Sequence, residues 1–226
     1  MPSADTTPPP GPPLASAYVS DVLDALGVSG RVLNIPVTPL RTEWRAVGRA
    51  FPLQVSAAGL DDSGRRNAGL VRAIDAIPPG ALVLIEASSV DCAPFGSITA
   101  RRAIARGAIG VVSTGAVRDA ESLRQFSMPV FSARRTPIRA MGRADVVSFD
   151  TPMIVAGVDV RPGELVVADG DGVVVVPRDC EAEVLRRVAE LHEREGRLMT
   201  ALAGGYSLSE LFSAPPASGS TPVSDL

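Results

Sequence analysis

From Ala81 to Ser132 the chain alternates short apolar runs with helical patterns. Ala81 to Glu86 is followed by Ile98 to Arg106, then Ile109 to Val112, a helix from Asp119, and Pro129 to Ser132. Apolar runs this short, punctuated by Gly and Pro, read as buried strands, with amphipathic helices between them. Such alternation commits the middle of the chain to a sheet layered with helices. Beyond Arg143 the character changes to β. Val146 to Phe149, Met153 to Val155 and Val158 to Val160 read as short strands. Leu165 to Ala168 and Gly172 to Val176 flank Asp169-Gly170-Asp171, a strong hairpin signal. Pro177 ends the hairpin, and the longest helical pattern fills Cys180 to Ala203. No linker divides the two parts, so the expectation is a single domain of the α/β class.

Upstream, Val19, Val22, Leu23 and Leu26 share one face of a helix over Ala15 to Leu26, which Gly27 stops. Gly48 to Ser56 alternates like a strand, and Leu70 to Ile77 reads as a short helix closed by Pro78-Pro79-Gly80. The ordered domain is expected to span 14–212. A Pro-rich, extended lead-in (1–13) would precede it, and a flexible Ser/Pro/Ala tail (213–226) would follow.

Composition narrows the function classes. Hydrophobic residues make up 46% of the 226, yet aromatics only 4%, so the core must be built from Ala, Val, Leu and Ile. A net charge of −3 argues against a nucleic-acid partner, which needs a basic face. Cys92 and Cys180 give neither a disulfide framework nor a metal cluster, and His192 sits in a charged helical stretch that reads as a solvated face. No apolar run is long enough to span a membrane, and the amino terminus lacks the basic start and apolar stretch of a signal peptide. A cytoplasmic protein with no membrane partner is the expectation.

The residues that carry chemistry lie at two places. Gly96-Ser97-Ile98-Thr99 stands where a loop becomes a helix, so unpaired N–H groups and the helix dipole favour an anion there. Twenty residues further on, after the strand Ile109 to Val112 and a tight turn at Ser113-Thr114-Gly115, come Arg118 and Asp119. One helix and one strand fill the gap, so the chain goes out and comes back to the same sheet edge, where α/β proteins place ligands. A guanidinium fork facing helix amides makes an anion pocket, and Asp119 would add a hard oxygen ligand for Mg²⁺ or Mn²⁺. The plainer alternative is a surface ion pair that caps the helix beginning near Asp119.

Gly96-Ser97, the run Gly107 to Asp119, Met128 to Phe131 and Gly157 to Pro177 together resemble the RraA-like family. Its members include 4-hydroxy-4-methyl-2-oxoglutarate aldolases and the regulator of ribonuclease activity A. Ser20 to Gly27 is similar to the family's opening helix and Gly48 to Phe51 to its next strand, so the resemblance covers about residues 15 to 212. It implies a layered β/β/α sandwich like that of swivelling domains, assembled as a homotrimer or as a hexamer (a dimer of trimers), with sites between subunits. It makes Gly96, Ser97, Ile98 and Thr99 the cradle of a pyruvoyl carboxylate, Arg118 its clamp and Asp119 the anchor of the divalent metal. The implied activity is cleavage of 4-hydroxy-2-oxo acids to pyruvate through an enolate. Decarboxylation of oxaloacetate yields the same enolate. The small partner is then a 2-oxo acid.

Two positions depart from the pattern. The family's aldolases carry a water-orienting carboxylate where this chain has Ser97, and Thr114 stands in place of a common Asp. Acid–base support would have to come from Asp91 in the flanking loop or from Glu195 on a neighbouring subunit's long helix. The loss at Ser97 leaves a second reading, a non-catalytic regulator that binds an RNA-processing enzyme. A methyltransferase is disfavoured, because no glycine-rich loop joins an early strand to a helix. Glu86 reads as a strand-end acid meeting solvent, Asp169 and Asp171 as turn chemistry, and Cys92 as unreactive.

Overall fold

The computed structural model describes residues 14–58 and 67–213. The Pro-rich lead-in (1–13) and the tail from 214 lie outside the described residues. In chain order the elements are α1 (Ser16–Ala25), β1 (Thr38–Pro39), β2 (Ala46–Ala57), α2 (Ala68–Ala76), β3 (Ala81–Glu86), α3 (Ser97–Ala105), β4 (Gly110–Val117) and α4 (Ala120–Leu123). There follow β5 (Val130–Arg135), β6 (Ala144–Phe149), β7 (Met153–Val155), β8 (Val158–Val160), β9 (Leu165–Ala168), β10 (Val173–Val176), α5 (Glu181–Ala203) and α6 (Leu208–Ser213). The expected α/β domain is therefore present.

One large sheet runs β1-β5-β4-β3-β2-β9-β10, with β6 also paired to β2, while β7 and β8 form a separate ribbon. β2 to β5 are parallel neighbours, as strands joined through crossover helices should be. β2 is long enough to serve two partners along one edge: Ala46 to Arg49 pair with β9, and Leu53 to Ala57 with β6. β3 and β4 are buried at every residue, which explains their unbroken apolar runs. Fully buried Phe51, Phe95 and Phe131, with Trp44, anchor a core made mostly of aliphatic side chains. A second cluster forms where α1 and α5 cover the β9–β10 hairpin, with Val19, Val22 and Leu23 against Val167, Val174 and Val188.

Some expectations are corrected. Ser113-Thr114-Gly115 is no turn: β4 continues through it to Val117, with a shift in register against β5 between Ser113 and Ala116. Thr114 is a good strand former whose hydroxyl accepts the Ala87 N–H at 2.9 Å, and Gly115 lies so close to β3 that a Cβ would stand 2.4 Å from the Ala87 carbonyl oxygen. Glu86 does not meet solvent. It is 7% exposed and accepts hydrogen bonds from Ser88, Thr114 and the Ala156 N–H. His192 is half-buried, packed edge-on against Tyr18 at 5.9 Å.

Candidate active site

The site forms where the end of β4 meets the loop that leads into α3. Arg118 N–H donates to the Phe95 carbonyl at 3.0 Å, and Phe95 pairs alongside Val117. This pairing brings the first residues of α3 against Arg118 and Asp119. The approach is close enough to require glycine at 96: a Cβ there would stand 2.7 Å from Arg118 Cγ and 2.9 Å from Asp119 Oδ2. The Thr99 hydroxyl accepts from Gly96 N–H at 2.9 Å and donates to the Gly96 carbonyl at 2.8 Å, which fixes the entry to the helix. Thr99 therefore shapes the cradle with its side chain and leaves only its N–H for a ligand.

Asp119 is tied from both sides. Its Oδ2 accepts the Ser97 N–H at 3.1 Å and the Ser97 hydroxyl at 2.9 Å, and its Oδ1 accepts Arg118 Nε–H at 3.3 Å. The Ser97 N–H and hydroxyl, with a smaller share from Arg118, hold the Asp119 carboxyl below the ordinary carboxylate range against a modest opposing effect of burial. Its backbone is left-handed (φ 57°), a conformation that Asp and Asn tolerate best. Asn67 (φ 59°) adopts it too, on the same pocket. Two of the four described non-glycine residues with positive φ thus border one cavity, as strain stored at functional sites would.

That cavity, about 440 Å³, is bordered by Gly96, Ser97, Ile98, Thr99, Arg118 and Asp119 at one end. Among the described residues the Ile98 and Thr99 N–H groups and the terminal nitrogens of Arg118 have no hydrogen-bond partner. Two helix amides and a guanidinium fork thus face one space, which suits a carboxylate. On the other side of the pair, Arg118 and Asp119 also border a cavity of about 340 Å³ with Arg135 and Thr136.

The four cradle residues and the Arg118–Asp119 pair come together; the two acid–base candidates do not join them within the chain. The Asp91 side chain is almost fully exposed, pairs with Arg134 at 2.9 Å and borders neither cavity. Glu195, on α5, accepts the Tyr18 hydroxyl at 2.5 Å and also borders neither. Cys92 is buried, and that burial raises its thiol pKa, as an inert cysteine requires. Sequence reasoning missed Asn67, Val71, Arg139 and Met141, which border the larger cavity. They come from α2 and from the segment after β5, and no local signal links either to Arg118.

A family model described as RraA-like (aldolase/RraA) matches residues 16–175. The chain belongs to the RraA-like family. This RraA-like chain is 31% identical over 196 residues to protein DlpA of Legionella pneumophila, covering 86% of the chain but 31% of that relative, so it spans about a third of DlpA's length. It is 34% identical over 147 residues to the 4-hydroxy-4-methyl-2-oxoglutarate aldolase of Thermus thermophilus, covering 58% of the chain and 85% of that protein. Streptomyces coelicolor RraAS2, described as an unusual member of the RNase ES inhibitor RraA protein family, superposes with a TM-score of 0.72 at 27% identity. The match covers 83% of this chain and 91% of that one.

The RraA-like aldolases imply a divalent ion. Among the described residues no three His, Cys, Asp or Glu side chains gather to hold one. Asp119 nevertheless fits the role in part. A carboxylate offers about four lone-pair positions, and its hydrogen bonds here occupy three. Its lowered pKa keeps it ionised at neutral pH. Mg²⁺ and Mn²⁺ accept one or two protein carboxylates and complete their shell with water and substrate.

Proposed function

We propose that this protein is a divalent-metal-dependent lyase that cleaves 4-hydroxy-2-oxo acids, of the 4-hydroxy-4-methyl-2-oxoglutarate type, to pyruvate, and that decarboxylates oxaloacetate. The observation that supports it most is the placement of the α3 amides, the Arg118 fork and the ionised Asp119 on one cavity. The free N–H groups of Ile98 and Thr99 and the end of Arg118 bind and orient the pyruvoyl end. The Arg118 guanidinium stabilises the negative charge that grows on the 2-oxo group as the C3–C4 bond breaks. Asp119 would hold the divalent ion, which would supply further positive charge at that group. The Ser97 hydroxyl, which donates to Asp119, holds the anchor in place and does not serve as a base. The working unit in this reading is a homotrimer or hexamer in the cytoplasm.

The test is pyruvate release from oxaloacetate and from 4-hydroxy-2-oxo acids, with and without Mg²⁺ or Mn²⁺. Activity that depends on metal and disappears in Asp119→Ala supports the lyase. No pyruvate above background, or undiminished turnover in that variant, overturns it. The absence of a carboxylate at Ser97 favours one competing reading, a regulator that binds an RNA-processing enzyme. Retention of such an enzyme on the immobilised protein, with no lyase activity, would decide for it.

A further inference from the structure

4-Hydroxy-4-methyl-2-oxoglutarate and oxaloacetate each carry a second carboxylate, and the anchor made by Arg118 and the α3 amides accounts only for the pyruvoyl one. The larger cavity holds a further cation. Among the described residues its charged border consists of Asp75, Arg102, Arg118, Asp119 and Arg139. Both aspartates already face an arginine: Asp75 pairs with Arg102 at 2.6 Å, and Asp119 with Arg118 at 3.3 Å. The Arg139 side chain has no partner among the described residues, where only its backbone carbonyl is engaged, by Arg143 Nη1 at 3.4 Å. One positive charge is therefore left over on the cavity that binds the pyruvoyl end.

Backbone pairing sets Arg139 near the anchor. The segment from Ala93 to Gly96 is bridged to Arg139 at Ala93, and at Phe95 to Val117, the residue before Arg118. Ala93 N–H donates to the Ile138 carbonyl at 2.8 Å, and Arg118 N–H to the Phe95 carbonyl at 3.0 Å. Ala93 and Phe95 are two residues apart, at most about 7 Å of chain. The closeness of the two arginines is thus fixed within one chain, whatever packs outside it. The facing wall from α2 is aliphatic (Leu70, Val71 and Ile74) and offers a carboxylate nothing.

We infer that Arg139 binds the second carboxylate of the substrate, the one remote from the 2-oxo group, and so selects 2-oxo diacids over monoacids. The identity of the substrate rests on the lyase reading above. In a lone chain Arg139 meets water, where an ion pair is weak. A neighbouring subunit closing over the cavity, as in the oligomer proposed above, would exclude that water and strengthen the pair. The contact serves binding and does not speed every reaction. In oxaloacetate the second carboxylate leaves as CO₂ while the C3–C4 electron pair passes to C3, and a cation holding its charge opposes that flow.

Binding separates this inference from the lyase reading. Calorimetric titration of the assembled protein in Mg²⁺ compares 2-oxoglutarate with 2-oxopentanoate, which has the same chain length and a methyl in place of the second carboxylate. We expect 2-oxoglutarate to bind about tenfold more tightly. Arg139→Gln should erase most of that difference and leave 2-oxopentanoate binding unchanged. For oxaloacetate the same variant should raise KM by a similar factor without lowering kcat. Equal or weaker binding of 2-oxoglutarate, a preference that survives Arg139→Gln, or no binding of either acid overturns the inference. So does a preference lost instead in Arg135→Gln, on the smaller cavity. If the preference depends on Arg139 but neither oxaloacetate nor 4-hydroxy-2-oxoglutarate yields pyruvate, the carboxylate site stands and the lyase falls.

Discussion

Ser97 gives both its N–H and its hydroxyl to one oxygen of Asp119, Oδ2, across the gap between the start of α3 and the end of β4. Without a carboxylate of its own, Ser97 instead makes the carboxylate opposite it a stronger acid. Ser97→Ala removes the hydroxyl and keeps the N–H, so the Asp119 pKa should rise toward the ordinary value of about 3.9. A group with a lowered folded pKa stabilises the protein above its unfolded value and loses that contribution as pH falls through the folded one. The stabilising contribution of Ser97 through Asp119 is therefore complete above about pH 4 and fades below it, and both forms keep Asp119 ionised at pH 7. Carboxyl NMR titration of the two proteins checks this; superimposable Asp119 curves would refute it.

Gly96→Ala tests the close approach. The new methyl would press on Arg118 Cγ and Asp119 Oδ2 and move the pair off the cradle. Misplacement by an ångström at a reacting centre costs about a hundredfold in rate, and pyruvate formation should fall by roughly that factor. The far-ultraviolet circular dichroism should match the parent's. Full activity in the alanine variant would show that Gly96 does not set the geometry.

Much of this architecture was legible in the chain, and the misses have a common cause. β3, β7 and β8 lie where their apolar runs predict, and Asp169-Gly170-Asp171 does join a hairpin, because strand periodicity and turn chemistry act over a few residues. β1 has two residues and carries no pattern to read. Ser113-Thr114-Gly115 has turn composition, but the Thr114 hydroxyl finds its partner at Ala87, 27 positions away, and the strand continues. Glu86 is buried for the same reason, with a donor at Ala156, 70 positions away. The cradle and the Arg118–Asp119 pair could be placed at one sheet edge from the length of the helix and strand between them. The aliphatic wall from α2 could not, since only the packing of α2 against β6 and α3 brings it there.

Thr114→Asp asks why this chain departs from an acid at that position. Thr114 Oγ1 lies 3.0 Å from the buried Glu86 carboxylate and donates to it. An aspartate would place a second carboxylate there and remove a donor, at a cost of about 2–4 kcal/mol. One of the two acids would then have a raised pKa in the folded state, so folding would favour protonation and the deficit should shrink as pH falls. Urea unfolding at pH 7 and pH 5 measures it; a deficit that is absent, or larger at pH 5, contradicts the account.

Asp169 links the hairpin to the first helix and should govern the acid limit of stability. Its carboxylate, 5% exposed, accepts the Ser16 hydroxyl at 2.6 Å and the Ser16 N–H at 2.7 Å, so it caps α1 from a turn 153 positions away. Burial raises its pKa, but the hydrogen bonds from Ser16 Oγ, Ser16 N, Asp171 N and Gly172 N outweigh it and leave the group more acidic than usual. The stabilisation is complete above the unfolded value of about 3.9 and is lost as pH falls through the lowered folded value. Ser16→Ala should cost about 0.5–2 kcal/mol at pH 7. Asp169→Asn should cost stability at pH 7 and flatten the acid decline, because an amide neither carries the charge nor titrates. Urea midpoints collected between pH 7 and pH 3 for the three proteins test both statements. An acid decline as steep in Asp169→Asn as in the parent would assign the acid limit to other carboxylates.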